Sequence, residues 1–129
     1  LYVANPLHLT GVVDLDGPAD LKAVIPMQQR ICGAPVITNL IGGTPEEQPQ
    51  RYHDASPIDL LPLGVPQAFF AGRMAAADLG PYEAAAKRAG DSLQSIVVPN
   101  GDHFIFVDPQ SESWPQVLQT VRRLLLMPN

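Results

Sequence analysis

The stretch Ser95–Phe106 reads Ser-Ile-Val-Val-Pro-Asn-Gly-Asp-His-Phe-Ile-Phe. Its β-branched run Ile96–Val98 predicts a buried strand, which ends before a tight turn at Gly101. His103 then follows the carboxyl end of this strand, and an amphipathic helix is predicted from Trp114. In open α/β sheets, reactive groups collect at that end of the strands. His103 is therefore a candidate general base.

The pattern outside this stretch predicts an α/β fold with about three parallel strands flanked by helices, because strands alternate with helices along the chain. The predicted strands are Leu9–Leu15, Val65–Phe70 and Leu93–Val98. The predicted helices are Leu21–Ile25 after Asp20 as the N-cap, a helix capped by Thr44 that runs to about Asp54, Pro81–Ala89 and Trp114–Met127. Residues 26–44 are expected to be irregular or weakly helical and to close on Ile41-Gly42-Gly43-Thr44.

Composition predicts one soluble domain over residues 1–129, with 46% hydrophobic residues and a net charge of −5. No basic face is visible, which argues against a nucleic-acid partner. The apolar runs are too short to span a bilayer, and the start of the chain lacks a signal-peptide pattern, so we expect a cytoplasmic protein with no membrane span. The single cysteine, Cys32, excludes an internal disulfide and is expected to be a small buried core residue. No cofactor or bound metal is expected.

Several segments together resemble the C-terminal half of the α/β-hydrolase superfamily, in its esterase/lipase and prolyl-oligopeptidase-like branch. The segments that carry this resemblance are Gly11–Leu21, Ile41–Glu47, Arg51–Ile58, Leu63–Gln67 and Gly101–Phe104. The resemblance covers nearly the whole chain but only half of such an enzyme. It implies a partial α/β-hydrolase fold.

The resemblance also implies roles for individual residues. His103 matches the catalytic histidine of the family, and Gly72 matches the glycine that ends the strand before the catalytic acid. The usual position of that acid, three residues later, is Ala75 here, in a loop shorter than the family's. Asp78 is the carboxylate left in this loop and is one candidate acid. Asp16 is the other, because it lies at the carboxyl end of the first strand, where the family more often carries a small residue.

The nucleophile is not identifiable in the chain. The family's G-x-S-x-G elbow is absent, and the serines lack its flanking glycines and its strand-turn-helix setting; they include Ser56, Ser92, Ser95, Ser111 and Ser113. If the chain is an esterase-type hydrolase of a small acyl ester, the serine comes from an N-terminal segment or a partner chain. The alternative is a non-catalytic half-hydrolase domain that acts as a dimeric binding or structural module.

The predicted first strand leads us to expect association with another chain. In the fold of the family that the chain resembles, this strand has a further strand on its outer side. Without that neighbour, its open edge is a template for another chain. We therefore expect a homodimer, or a partner that supplies the N-terminal half.

Asp102 is expected to point away from the neighbouring His103, and Asp14 is a further carboxylate near the end of the first strand.

Overall fold

The protein forms a three-stranded parallel sheet in the order β1-β2-β3 in a computed structural model that describes residues 7–75 and 79–126. The strands are β1 (Val12–Leu15), β2 (Gln67–Ala71) and β3 (Leu93–Val97). All five residues of β2 are buried, as expected for the central strand of a parallel sheet with both faces covered. The predicted parallel α/β architecture is therefore confirmed, although β1 is shorter than the sequence suggested.

Helices connect and flank the strands. They are α1 (Leu21–Cys32), α2 (Val36–Ile41), α3 (Pro49–Ala55), α4 (Leu79–Ala89) and α5 (Trp114–Leu125). Short 3-10 segments lie at Pro57–Leu60 and His103–Phe106. None of the helices in the described part of the chain combines the length and apolarity needed to cross a lipid bilayer.

Residues 26–44, predicted to be irregular or weakly helical, are largely helical, because α1 continues through Pro26 and α2 follows it. The Asp20 side chain caps α1 by accepting hydrogen bonds from two backbone N–H groups of its first turn. The helix then continues beyond the proline because tertiary contacts bury Gln28. The Gln28 side-chain oxygen accepts hydrogen bonds from the backbone N–H groups of Ile37 (3.0 Å) and Thr38 (3.3 Å). Burial and this contact between helices outweigh the local proline penalty.

The helix predicted from Thr44 begins later than its sequence signature indicates. The reciprocal cap does form, since the Thr44 N–H donates to a Glu47 carboxylate oxygen (2.9 Å) and the Glu47 N–H donates to the Thr44 hydroxyl (3.4 Å). Residues 45–47 nevertheless form a turn, and α3 begins at Pro49. The cap therefore closes a single turn.

Two apolar clusters cover the opposite faces of the sheet, because successive side chains of β2 alternate between faces. Phe69 packs with Tyr82 of α4 at a ring-centroid distance of 4.8 Å. Phe70 packs on the other face with Phe106 at 5.7 Å and with Val117 of α5. The two clusters hold the sheet in place from both faces. Because the strands are parallel, the carboxyl ends of all three lie at the same end of the sheet.

The strand β1 is an edge strand, since no strand in residues 7–75 and 79–126 pairs with its outer side. On its inner side, the Val12 N–H donates to the Pro66 carbonyl (2.9 Å) and the Asp16 N–H donates to the Phe70 carbonyl (2.7 Å). Peptide groups alternate in direction along a strand. Those of Val13 therefore face outward.

Candidate functional site

His103 lies at the carboxyl end of β3, where the sequence predicts a reactive group. The chain leaves β3 through Asn100, which has a φ of 60°, and Gly101. A Cβ atom at Gly101 would lie 3.0 Å from the Val98 carbonyl oxygen, so a side chain there would crowd the turn. The Asp102 carboxylate then accepts a hydrogen bond from the Phe104 N–H (2.9 Å) and caps the short 3-10 segment that begins at His103. This turn fixes the backbone that carries the imidazole.

The imidazole is paired with Asp16, which follows the edge strand β1 on the other side of the central strand β2. The Nδ1 atom of His103 lies 3.1 Å from the Oδ2 atom of Asp16. A carboxylate only accepts hydrogen bonds, so this contact places the proton of a neutral imidazole on Nδ1 and leaves the lone pair on Nε2. The two residues are 87 positions apart in the chain, and the parallel sheet brings them together at one edge.

The second oxygen of Asp16 is held by the backbone after β2. Its Oδ1 atom accepts hydrogen bonds from the N–H groups of Gly72 (2.6 Å) and Ala75 (3.0 Å). Asp16 is fully buried and has a φ of 61°, a conformation that aspartate tolerates better than most residues. Buried carboxylates need such partners, because an unpaired buried charge is very costly. The carboxylate is therefore fixed before any ligand binds.

Gly72 is required for this arrangement. A Cβ atom at this position would lie 2.7 Å from the Gly101 carbonyl oxygen and 3.1 Å from Asp16 Oδ2. The backbone of the β2 loop therefore approaches both the His103 turn and the carboxylate closely. The resemblance assigns an acid to position 75; instead, Ala75 is buried and its N–H binds the carboxylate that arrives from β1.

The other carboxylates considered in the sequence analysis are Asp78, Asp102 and Asp14. Asp78 lies outside the described residues, so its relation to His103 stays a prediction. The carboxylate of Asp102 lies 3.7 Å from the Arg73 guanidinium and accepts the Phe104 N–H, so its described partners do not include the imidazole. Asp14 accepts a hydrogen bond from the Gly17 N–H (2.7 Å) and so stabilises the turn after β1.

An open cleft gives access to the imidazole. It has a volume of about 450 Å³, and Arg30, Arg73 and Phe104 are among its walls. The His103 side chain is 41% exposed whereas that of Asp16 is inaccessible. One end of the pair is thus locked in the protein, and the other faces a space that admits a small molecule.

The described residues supply no nucleophile to this imidazole, since no hydroxyl or thiol among them forms a hydrogen bond with His103. Ser56 is fully buried, and its hydroxyl accepts a hydrogen bond from the Leu21 N–H. The Ser111 hydroxyl donates to the Ile105 carbonyl, and the Ser95 hydroxyl is a buried group on β3 with no described hydrogen-bond partner. Ser56 and Ser111 therefore use their hydroxyl groups in hydrogen bonds within the fold, and the hydroxyl group of Ser95 is buried.

The prediction that Cys32 is buried is wrong. This residue is exposed at the end of α1, because the helix extends beyond its predicted end at Ile25. It lines a second, smaller pocket beside the cleft. Sequence reasoning missed this pocket because it depends on the packing of α2, and that segment was predicted only as irregular or weakly helical.

The largest resolved pKa change lies away from the cleft. Burial, together with the negative charges of Asp91 and Asp14, raises the pKa of Tyr82 to about 12. The Tyr82 hydroxyl donates a 2.6 Å hydrogen bond to the Gln67 side-chain oxygen at the start of β2. Tyr82 therefore belongs to the core and not to the site.

Comparison with known proteins provides no relative from which a function could be transferred: no family model, curated protein or solved structure shows significant similarity to this chain. Within the ranges that the structure describes, no group of three or more His, Cys, Asp or Glu side chains is placed to hold a metal ion. The function is therefore argued from the His103–Asp16 pair and its cleft.

Proposed function

We propose that the chain contributes the general base and its acid to the hydrolysis of a small carboxylic ester, in the manner of an α/β-hydrolase. The observation that carries this proposal is the His103–Asp16 pair at 3.1 Å, with its second ring nitrogen left for the cleft. An imidazole whose Nδ1–H is held by a carboxylate can accept a proton at Nε2 and return it to a leaving group. Asp16 fixes the tautomer and stabilises the imidazolium that forms.

The chemistry requires a hydroxyl, which we propose comes from a serine of an N-terminal segment or of a partner chain, since the residues outside the described ranges contain no serine. Its oxygen attacks the ester carbonyl while His103 Nε2 takes its proton; the proton then passes to the alcohol that leaves. Water, deprotonated by the same nitrogen, releases the acid from the acyl intermediate. No backbone N–H group is assigned to the oxyanion, because Gly72 and Ala75 already donate to Asp16.

The open edge of β1 is the place where such a segment can join. Parallel strands there would extend the sheet and bring a further carboxyl end next to Asp16 and His103. A separate chain that supplies the missing half can add such a parallel strand, whereas two copies related by a two-fold axis would pair β1 with β1 in antiparallel order. Either partner would pair the outward peptide groups of Val13, which no strand of residues 7–75 and 79–126 pairs. The same edge favours the second candidate function, a non-catalytic dimeric module that uses the sheet only for assembly.

An activated ester such as 4-nitrophenyl acetate can be attacked by a water molecule that an imidazole deprotonates, so a test of the base does not need the serine. Its hydrolysis by the chain and by His103→Ala therefore separates the two functions. The base role predicts that the substitution lowers kcat by at least about 10²-fold. His53→Ala is the matched control, because His53 is an exposed histidine of α3 that pairs only loosely with Asp59 (3.9 Å). Equal rates for all three proteins overturn the catalytic proposal and leave the assembly module.

A further inference from the structure

A small apolar pocket lies directly beside the His103 cleft, between α1, α2 and the loop after β2. It has a volume of about 180 Å³. Its walls include Val24, Ile31, Cys32, Val36, Ile37 and Met74. Ile31 and Met74 line the cleft as well, so the two spaces share a boundary. A molecule in the cleft can therefore extend an apolar group into this pocket.

The pocket has almost no free polar group that could form a hydrogen bond with a water molecule. Gln28 is its polar wall residue, and α2 already uses its amide group. The Gln28 oxygen accepts from the N–H groups of Ile37 and Thr38, and its nitrogen donates to the Thr38 hydroxyl at 2.9 Å. A stable water needs two to four polar partners. The glutamine thus presents its methylene groups to the pocket, which favours an apolar occupant.

Two large apolar side chains in its walls remain incompletely covered. Ile31 is 39% exposed and Val36 is 41% exposed, although both lie on helices that bury other residues against the core. An apolar group that enters the pocket removes this surface from water, which is the main source of affinity in such sites. Met74 adds an unbranched side chain that can adapt to the shape of a ligand.

We propose that this pocket binds the hydrocarbon part of the substrate, an unbranched acyl chain of about six carbons, while the ester group lies in the cleft beside His103. A cavity of about 150 Å³ lined by similar residues holds one benzene molecule, with its six carbons. At about 180 Å³ the pocket has room for a chain of about that size. This assignment of the substrate rests on the proposed hydrolase function.

The single cysteine of the chain gives a direct measure of occupancy. Cys32 is exposed and lines the pocket, so a bound chain slows its reaction with 5,5′-dithiobis(2-nitrobenzoate). The probes are straight-chain primary alcohols of four, six, eight and ten carbons, which contain no ester. We expect the concentration for half-protection to fall about fourfold per added methylene up to about six carbons and to level off beyond that. No protection by any alcohol, or affinity that keeps rising to ten carbons, overturns the proposal.

Two variants on α2 locate the effect. Val36→Trp fills the pocket and is expected to abolish protection relative to its own alcohol-free rate. Leu40→Trp adds the same ring to the same helix at a position that is 81% exposed and outside the pocket walls, and is expected to leave protection unchanged. Equal protection in both variants overturns the location. The wild-type alcohol series decides the proposal if Val36→Trp does not fold.

The outcome is independent of catalysis. Protection that stops improving at about six carbons, together with no effect of His103→Ala on ester hydrolysis, supports the pocket and rejects the proposed function. A large effect of His103→Ala without any protection rejects the pocket and leaves the proposed function in place.

Discussion

Replacing Asp16 with asparagine tests the central pair without removing its shape. Asparagine, like aspartate, tolerates the positive φ of 61° at this position, so the substitution adds little backbone strain. The side-chain oxygen of the introduced asparagine must face the N–H groups of Gly72 and Ala75, since the reverse orientation would oppose donors to donors. Its NH₂ group then faces Nδ1 of His103.

This orientation reverses the tautomer of the imidazole. Nδ1 must now accept a hydrogen bond, which moves the proton to Nε2 and removes the lone pair that the base requires. The known effect of such a reversal in a catalytic triad is a fall in kcat of about 10⁴. Loss of the charge on a buried acceptor of two N–H groups also lowers the free energy of unfolding by about 1–3 kcal/mol.

Long-range ¹H–¹⁵N correlation spectra of the imidazole report the tautomer whether or not the chain turns over an ester. We expect the Nδ1–H form in the wild type and the Nε2–H form in Asp16→Asn, at an alkaline pH where imidazole is neutral. Asp78→Asn is the matched control, because it makes the same change at the other candidate acid; it should leave the His103 tautomer as in the wild type. The same tautomer in wild type and Asp16→Asn would refute the reasoning, and a reversal in Asp78→Asn would reassign the acid.

The remaining predictions concern stability and assembly. Burial favours the neutral phenol of Tyr82, so its contribution is fully present below pH 10 and is lost as the pH rises from 10 towards 12; urea unfolding should show about 1–2 kcal/mol less stability at pH 12 than at pH 9, and Tyr82→Phe should remove that loss. An unchanged alkaline slope in the variant would contradict this origin. Gly72→Ala forces a Cβ against the Gly101 carbonyl and should lower the free energy of unfolding by about 1–3 kcal/mol; Gly80→Ala, where a Cβ meets nothing within 4 Å, is the control. Val13→Pro removes an outward N–H from β1 and should convert a dimer to a monomer in size-exclusion chromatography with light scattering; a wild-type monomer at micromolar concentration would exclude the homodimer.

The sequence predicted the sheet and the position of His103 because those signals are local. A β-branched run followed by Gly101 predicts a strand and a turn, and alternation of strands with helices predicts parallel order. The helix α5 was predicted closely for the same reason, since its apolar residues recur at helical spacing. By contrast, α1 was predicted to end near Pro26, because local propensity could not register the burial of Gln28 against α2.

The pairing of His103 with Asp16 is where the tertiary structure adds what the sequence lacked. The sequence left both Asp16 and Asp78 as candidate acids, because a sequence alone does not show which of two distant carboxylates lies close to His103. Strand order places Asp16 beside the His103 turn, and two N–H groups of the β2 loop hold its carboxylate there. These residues lie 56 to 87 positions apart in the chain, and they meet because the carboxyl ends of parallel strands lie at the same end of the sheet. No local sequence pattern marks a contact over such a separation.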